Sequence, residues 1–172
     1  LQGLGVRFHK PHSLNLTKAN FADYHLAQLA IYSAGTATPI QSLSFHGTAI
    51  TDRGLRHLKR ITTLRELHLT ETFVSDEGMQ CLRELVNLEH LFLRDTNVTD
   101  AGLKYLRGMK FLKQLRLQGT RVGDHGLREL SGLKNLRLLF LDRTAVGDLG
   151  LSHLASLPRM QHLYLNETQV TD

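Results

Sequence analysis

Residues 88–103 read LEHLFLRDTNVTDAGL, and residues 112–127 read LKQLRLQGTRVGDHGL. The two stretches share four leucines, a threonine, a valine, an aspartate and a glycine, at an offset of 24 residues (112 − 88 = 24). A period of 24 is incompatible with coiled-coil heptads and with a doubly wound sheet, and it indicates a solenoid of short stacked coils. The same frame surrounds each member of a regular threonine series: Thr48, Thr72, Thr96, Thr120, Thr144 and Thr168.

Each copy of the frame predicts one short strand followed by one short helix. Leu67 and Leu69 alternate with polar residues such as His68, so the leucines of a strand would share one face. Leu103 and Leu106 are three residues apart, as on the apolar face of a helix. An aspartate stands where each helix should begin, and its carboxylate is predicted to cap that helix by accepting backbone N–H bonds. These aspartates are Asp52, Asp76, Asp100, Asp124 and Asp148.

Two other repeated residues indicate close contact between coils. A glycine in the first helical turn costs ~1 kcal/mol relative to alanine, so its recurrence indicates a close approach of each helix to the neighbouring coil. The repeated threonine is interpreted as a buried hydroxyl that bonds backbone groups between successive coils. The glycines are Gly54, Gly78, Gly102, Gly126 and Gly150.

The N-terminal part departs from the regular frame. Residues 1–18 are predicted to form a cap, in which the end of a helix at residues 1–4 precedes a hairpin that covers the edge of the sheet. Residues 19–47 form an irregular first repeat with five extra residues, placed in the stretch 30–39. Residues 48–172 hold five 24-residue repeats and the start of a sixth. We expect a single domain that is a fragment of a longer protein.

The frame L-x-x-L-x-L-x-x-T-x-V-T-D-x-G-L-x-x-L-x-x-L resembles that of bacterial leucine-rich-repeat proteins, and residues 4–172 carry it. Residues 50–55 are also similar to the repeat of F-box ubiquitin-ligase receptors, but threonine stands where that family has cysteine, and no F-box segment is present. The resemblance implies an α/β solenoid, a horseshoe with parallel strands on its concave face and short helices on its convex face. It also implies recognition of another protein. The alternative is the substrate-recognition part of an F-box-type receptor, or the targeting arm of a larger enzyme.

Composition excludes several classes of protein. The chain is 41% hydrophobic and 22% charged with a net charge of +5, which suits a folded, soluble chain. It has no apolar run of the ~18 residues that a membrane-spanning helix needs. Its single cysteine, Cys81, excludes an internal disulfide and is interpreted as an inert thiol. Nucleophile-elbow, Walker and dinucleotide motifs are absent, so we expect neither catalysis nor a cofactor, and the compartment stays open.

Three alternative chemistries are weak. A diagonal of His46, His68 and His90 would suit a shared metal ion, but three solvated side chains explain it better, and no metal site is predicted. A hydrolase built on these histidines and Asp142 has no supporting motif. Nucleic acid would use the basic columns of the helix side, which are Lys59, Arg83 and Arg107, and Arg56, Lys104 and Arg128. Four glutamates interrupt that surface, and they are Glu77, Glu84, Glu89 and Glu129. Nucleic acid is therefore not the expected partner.

Partner binding is predicted on the concave face. Phe92, Phe140 and Tyr164 lie in one column with Arg116 between the two phenylalanines, and we expect these side chains to face only solvent or a partner. The alternative is ordinary cross-strand aromatic packing. The final strand, around Leu163, is expected to be an open edge through which the chain self-associates. The predicted partner site comprises His68, His90, Phe92, Arg94, Arg116, Leu138, Phe140 and Tyr164.

Overall fold

The computed structural model describes residues 8–10, 12–17, 21–35 and 39–171, and these residues form a stack of coils. Their strands make one sheet in chain order, with β1 antiparallel to β2 and every later neighbour parallel. Leu67 pairs with Leu91, and Leu91 with Leu115, so each strand matches the next at the 24-residue period. The strands are β1 (Phe8–Lys10), β2 (Ser13–Asn15), β3 (Ser42–Ser44), β4 (Glu66–His68), β5 (His90–Phe92), β6 (Gln114–Arg116), β7 (Leu138–Phe140) and β8 (His162–Tyr164).

Short helices follow the strands, and the predicted α/β solenoid is confirmed. The first helix has 13 residues whereas the others have four to seven, so the extra residues of the first repeat lengthen its helix. Two 3-10 helices, Leu58–Arg60 and Lys104–Leu106, continue two of the short ones. The α-helices are α1 (Asp23–Gly35), α2 (Asp52–Leu55), α3 (Asp76–Leu82), α4 (Asp100–Leu103), α5 (Asp124–Arg128) and α6 (Asp148–Leu154).

One apolar core lies between the sheet and the helices. The inward leucines of the strands, such as Leu67, Leu91 and Leu115, are completely buried, and so are the helix residues Leu103 and Leu127. Each parallel strand contributes one inward leucine at the same position, so identical side chains stack from coil to coil. The core is therefore continuous along the solenoid.

The repeated threonines are buried, but they do not connect successive coils. Thr72 is 4% exposed, and its hydroxyl donates to the carbonyl of Leu69, three residues earlier in the same coil, at 2.6 Å. The other threonines repeat this bond. The predicted bond between coils is therefore wrong, because the turn after each strand brings a carbonyl of the same coil within reach first.

Carboxylates connect the coils instead. Asp52 was predicted to cap its own helix, but it is the first helical residue, and Thr51 before it is the cap. The carboxylate of Asp52 accepts the backbone N–H of Ser75 at 2.7 Å and the Ser75 hydroxyl at 2.6 Å, so it binds the cap residue of the next coil. Asp76, Asp100, Asp124 and Asp148 differ from the prediction in the same way. The backbone N–H bond recurs in every described coil. The aspartates are Asp23, Asp52, Asp76, Asp100, Asp124 and Asp148, and the cap residues that donate to them are, in the same order, Thr51, Ser75, Thr99, Gly123, Gly147 and Thr171.

The bonds from the repeated aspartates to the cap residues of the next coil, here called the aspartate ladder, make the repeated glycines necessary. A Cβ on Gly126 would lie 2.5 Å from Oδ1 of Asp100 and 3.0 Å from Cδ1 of Leu103. The equivalent glycines of the other coils face the aspartate of the preceding coil in the same way. The predicted close approach is confirmed, and its cause is the carboxylate that crosses under each helix.

The two ends of the described sheet differ. At one end, β1 pairs with β2 as a hairpin, whereas the predicted helix end at residues 1–4 lies outside the described residues. At the other end, β8 pairs with β7, and Leu163 and Leu165 are only half-buried. Self-association through this edge stays a prediction.

The aspartate ladder yields a stability prediction at Gly123. Asp100 binds only the N–H of Gly123, while a cap serine or threonine adds a hydroxyl bond, as Ser75 does to Asp52. A Cβ at Gly123 has room, because its closest contact is the carbonyl oxygen of Ala145 at 3.4 Å, and the backbone there is extended. We expect Gly123→Ser to raise the free energy of unfolding by about 1 kcal/mol, measured by urea denaturation.

Two alanine variants are the controls for that substitution. Gly123→Ala lacks the hydroxyl and should leave stability nearly unchanged, because the poorer capping by alanine offsets the entropy that the substitution removes from the unfolded chain. Gly126→Ala forces a methyl group against Asp100 and should cost about 1–3 kcal/mol. If Gly123→Ser and Gly123→Ala stabilise the protein equally, the hydroxyl bond does not contribute.

Candidate functional site

The open face of the sheet, on the side opposite the helices, carries the predicted site. Its central column consists of the side chains that point outward from the last residue of each strand. The parallel register aligns them: Ser44 pairs with His68, His68 with Phe92, Phe92 with Arg116, Arg116 with Phe140, and Phe140 with Tyr164. The sheet therefore brings these predicted residues into one line.

Five of these side chains form a continuous stack, here called the ring stack: His68, Phe92, Arg116, Phe140 and Tyr164. The rings of His68 and Phe92 lie 4.0 Å apart at an angle of 11°. The guanidinium carbon of Arg116 lies 5.1 Å from the ring centre of Phe92 and 4.6 Å from that of Phe140. The rings of Phe140 and Tyr164 lie 4.3 Å apart at 4°. Arg116 is therefore held between two phenylalanine rings by cation–π contacts on both sides.

The ring stack corrects the expectation that these side chains face only solvent or a partner. Each of them contacts its neighbours on the adjacent strands, and Phe92 is buried, with only 9% of its surface exposed. Exposure increases toward the last strand, where Tyr164 is 39% exposed. The cross-strand packing alternative is thus present in the structure, and it buries Phe92 but leaves Phe140 half-buried and Tyr164 exposed.

A polar network holds the first part of the ring stack. Nε2 of His68 lies 2.7 Å from Oε1 of Glu66 on the same strand. Burial raises the pKa of Glu66, but the hydrogen bond and charge of His68, the Ser42 hydroxyl and the charge of His90 outweigh it, so that pKa lies below its ordinary value. His90 pairs in register with Glu66 on the neighbouring strand. These contacts orient the His68 ring against Phe92.

Gln114 is a site residue that the sequence analysis missed. With its amide oxygen turned toward Arg116, it accepts hydrogen bonds from Nε at 3.0 Å and Nη2 at 3.3 Å. Gln114 lies two residues before Arg116, so its side chain is on the same face of the same strand. That spacing is visible in the sequence, but glutamine alone gives no signal of this contact.

The remaining predicted residues flank the ring stack. Leu138 is half-buried and pairs with Gln114 on one side of the column. Arg94 is exposed on the other side, where its Nε donates to Oδ2 of Asp95 at 2.9 Å. Asp95 also pairs with Arg143, two coils further on, at 3.3 Å. Arg94 is thus restrained by an ion pair and does not join the stack.

The alternative chemistries find no assembled site among the described residues. No group of three or more histidine, cysteine, aspartate or glutamate side chains there is placed to hold a metal ion. The diagonal histidines have other contacts, since Nδ1 of His46 lies 3.2 Å from the carbonyl oxygen of Thr70 and His68 binds Glu66. On the helix side, burial and then the charge of Asp52 raise the pKa of Cys81, which keeps this thiol protonated and poorly nucleophilic.

In the described part of the chain, no helix is long and apolar enough to cross a membrane.

Comparisons with known proteins agree with the repeat architecture. The family model described as Leucine Rich repeat matches residues 60–82 and 85–106. A solved internalin (inlF) from Listeria monocytogenes is 25% identical with a TM-score of 0.68, over 80% of this chain and 36% of that chain. A solved internalin C2 (inlC2) from the same species is 24% identical with a TM-score of 0.65, over 94% of this chain and 74% of that chain. No curated protein matches this sequence significantly.

The chain therefore spans about a third of the first of these internalins and about three quarters of the second. The matched repeats lie in the regular part of the solenoid, between the first helix and β6. The 24-residue frame, the parallel sheet and these matches together support the leucine-rich-repeat solenoid fold.

Proposed function

We propose that the chain is a non-catalytic protein-interaction module that binds a protein partner across the open face of its sheet. The ring stack is the observation that supports the proposal. The contact surface would consist of its outer edges, with His90, Arg94 and Leu138 at its sides. The two internalins come from a bacterium, and a bacterial source is part of the same proposal. The F-box-type receptor and the targeting arm stay predictions of the sequence resemblance alone.

The ring stack suits recognition because it is ordered before a partner arrives. Binding normally requires that flexible side chains lose rotamer freedom, at about 0.5–1.5 kcal/mol for each immobilised side chain. Here stacking on both sides already restrains Arg116, and Gln114 also bonds its guanidinium. A partner that covers the stack would therefore gain contact area with aromatic rings and arginine at a small entropy cost.

Exposure divides the ring stack into a supporting part and a contacting part. Phe92 is buried between His68 and Arg116, so it holds the stack together. Phe140 is half-buried and Tyr164 is exposed, so these two offer the most surface to a partner. The anchors of the interface are therefore expected at the Phe140–Tyr164 pair, which can be tested separately from Phe92.

Stability should distinguish the two parts. Phe92→Ser removes a buried ring with contacts on both sides, and we expect it to lower the free energy of unfolding by about 2–3 kcal/mol. Tyr164→Ser removes an exposed ring that stacks on Phe140 and lies 6.4 Å from the ring of His162, and should cost less than about 1 kcal/mol. Urea denaturation of both variants measures the difference, and equal losses would contradict the division.

Partner capture should depend on the contacting part. A photo-crosslinking amino acid at Asn166, beside Tyr164 on the exposed edge, should trap a defined protein in an extract of the source organism. We expect Phe140→Ser with Tyr164→Ser to reduce the trapped band at least tenfold, since interface anchors contribute ~2 kcal/mol or more each. Mass spectrometry identifies the band, and circular dichroism checks that the variant is folded.

The matched control uses exposed aromatic residues elsewhere on the surface. Phe73 and Phe111 are 64% and 57% exposed and lie in loops outside the ring stack. Phe73→Ser with Phe111→Ser should leave capture unchanged. Capture that is lost in the control and retained in the ring-stack variant would refute binding on the open face.

A further inference from the structure

A second surface lies on the helix side, where the long first helix meets the second coil. α1 and the segment from Arg56 to Arg60 enclose an open groove of about 620 Å³. Its apolar wall comes from Ala27, Ala30 and Ile31 on α1, and Ile31 is 75% exposed. Pockets for drug-sized ligands measure ~300–1,000 Å³, so the groove is large enough to receive apolar side chains of a partner.

The opposite wall of the groove is basic. Arg56, Lys59 and Arg60 line it together with His57. Between residues 24 and 65 the sequence contains one acidic residue, Asp52, against five lysines and arginines. The carboxylate of Asp52 is already bound to the N–H and hydroxyl of Ser75. The positive charge of the groove is therefore not neutralised from within this part of the chain.

Two basic residues further along the helix side form ion pairs with glutamates. Arg107 forms an ion pair with Glu129, and Arg83 pairs with Glu84 at 2.9 Å. Within the described residues, Arg56, Lys59 and Arg60 form no ion pair with a carboxylate, and the only side-chain bond of Arg56 runs to His57 at 3.3 Å. The groove thus combines an exposed isoleucine with three basic side chains that form no ion pair among the described residues.

The groove also results from the irregularity of the first repeat. The extra residues extend α1 to 13 residues, while the helix that it packs against, α2, has four. The later part of α1, with Ile31, therefore lies beside the 3-10 helix Leu58–Arg60. A regular repeat with a short helix would not supply this apolar wall.

We propose that this groove binds an acidic amphipathic segment of a partner protein, with apolar side chains against Ile31 and carboxylates against Arg56, Lys59 and Arg60. Charge complementarity selects an acidic occupant. The apolar wall selects one that also carries large hydrophobic side chains, as in helix-in-groove recognition. A duplex nucleic acid would use the positive charges but leave the isoleucine wall unused.

The test uses a fluorescein-labelled amphipathic peptide with leucines on one helical face and glutamates on the other. Fluorescence anisotropy should detect binding at low salt, weakened at least tenfold when sodium chloride rises from about 0.05 to 0.3 M. The same peptide with glutamine in place of glutamate should bind at least tenfold more weakly. No detectable binding of the glutamate peptide would overturn the proposal, and so would equal binding of both peptides.

Substitutions locate the binding on the protein. Arg56→Glu with Lys59→Glu should reduce peptide affinity at least tenfold, and Ile31→Ser should reduce it several-fold without changing the net charge. The matched control is Arg121→Glu with Arg137→Glu, which makes the same charge change at exposed residues outside the groove and should have little effect. Equal losses in both double variants would show a general charge effect and contradict a defined groove.

Competing occupants give separate outcomes. The protein could instead bind a duplex DNA probe, or vesicles with anionic lipids, more strongly than it binds the peptide. If that binding is weakened by the Arg56 and Lys59 substitutions but not by Ile31→Ser, the assignment to a peptide is overturned. The Phe140→Ser and Tyr164→Ser variant should bind the peptide normally, because the ring stack lies on the opposite side of the solenoid. The groove and the open face are therefore tested independently of each other.

Discussion

The carboxylate that links each helix start to the next coil is the contact on which the regular stack depends. It binds the N–H of the following cap residue, and it occupies the space where that helix would otherwise place a Cβ. The repeated aspartate and the repeated glycine therefore depend on each other, because the carboxylate fits only where the next helix has no Cβ. The first repeat shows how strict it is: Asp23 still binds Thr51 even though the extra residues of that repeat lie between them. The insertion lengthens the helix, but the link between coils is preserved.

The sequence was sufficient for the architecture and insufficient for the hydrogen bonds. Alternating leucines and apolar residues three apart are local signals, and their repetition at a fixed interval determines how the coils stack. The hydrogen-bond partner of a polar side chain changes when the helix begins one residue earlier or later. Thr51 is extended and caps α2, while Asp52, the next residue, is already helical, so its carboxylate points to the following coil. Similarly, the hydroxyl of Thr72 donates to the carbonyl of Leu69 in its own coil and not to a group of a neighbouring coil.

The candidate site shows the same limit. The column could be read directly from the period, because residues at the same position in successive repeats become neighbours in a parallel sheet. The burial of these side chains could not be predicted from the period. Strands ~4.8 Å apart bring planar side chains into stacking contact only when each of several consecutive repeats has a planar side chain at that position. Phe92 has His68 and Arg116 as neighbours and is buried, whereas Tyr164 stacks on Phe140 and remains exposed. A list of outward positions therefore overestimates the surface that a partner can reach.

In a solenoid, the features that repeat serve stability, because every coil must present the same contacts to its neighbours. Recognition needs features that do not repeat, since identical coils would offer a partner no preferred position along the stack. The two candidate surfaces of this chain satisfy that condition in different ways. The ring stack uses variable outward positions, with one arginine placed among aromatic residues, while the basic groove uses a helix of a length that no other described coil has. The aspartate ladder makes both surfaces possible. It keeps the coils in register even where the outward side chains, or the length of a helix, differ from one coil to the next.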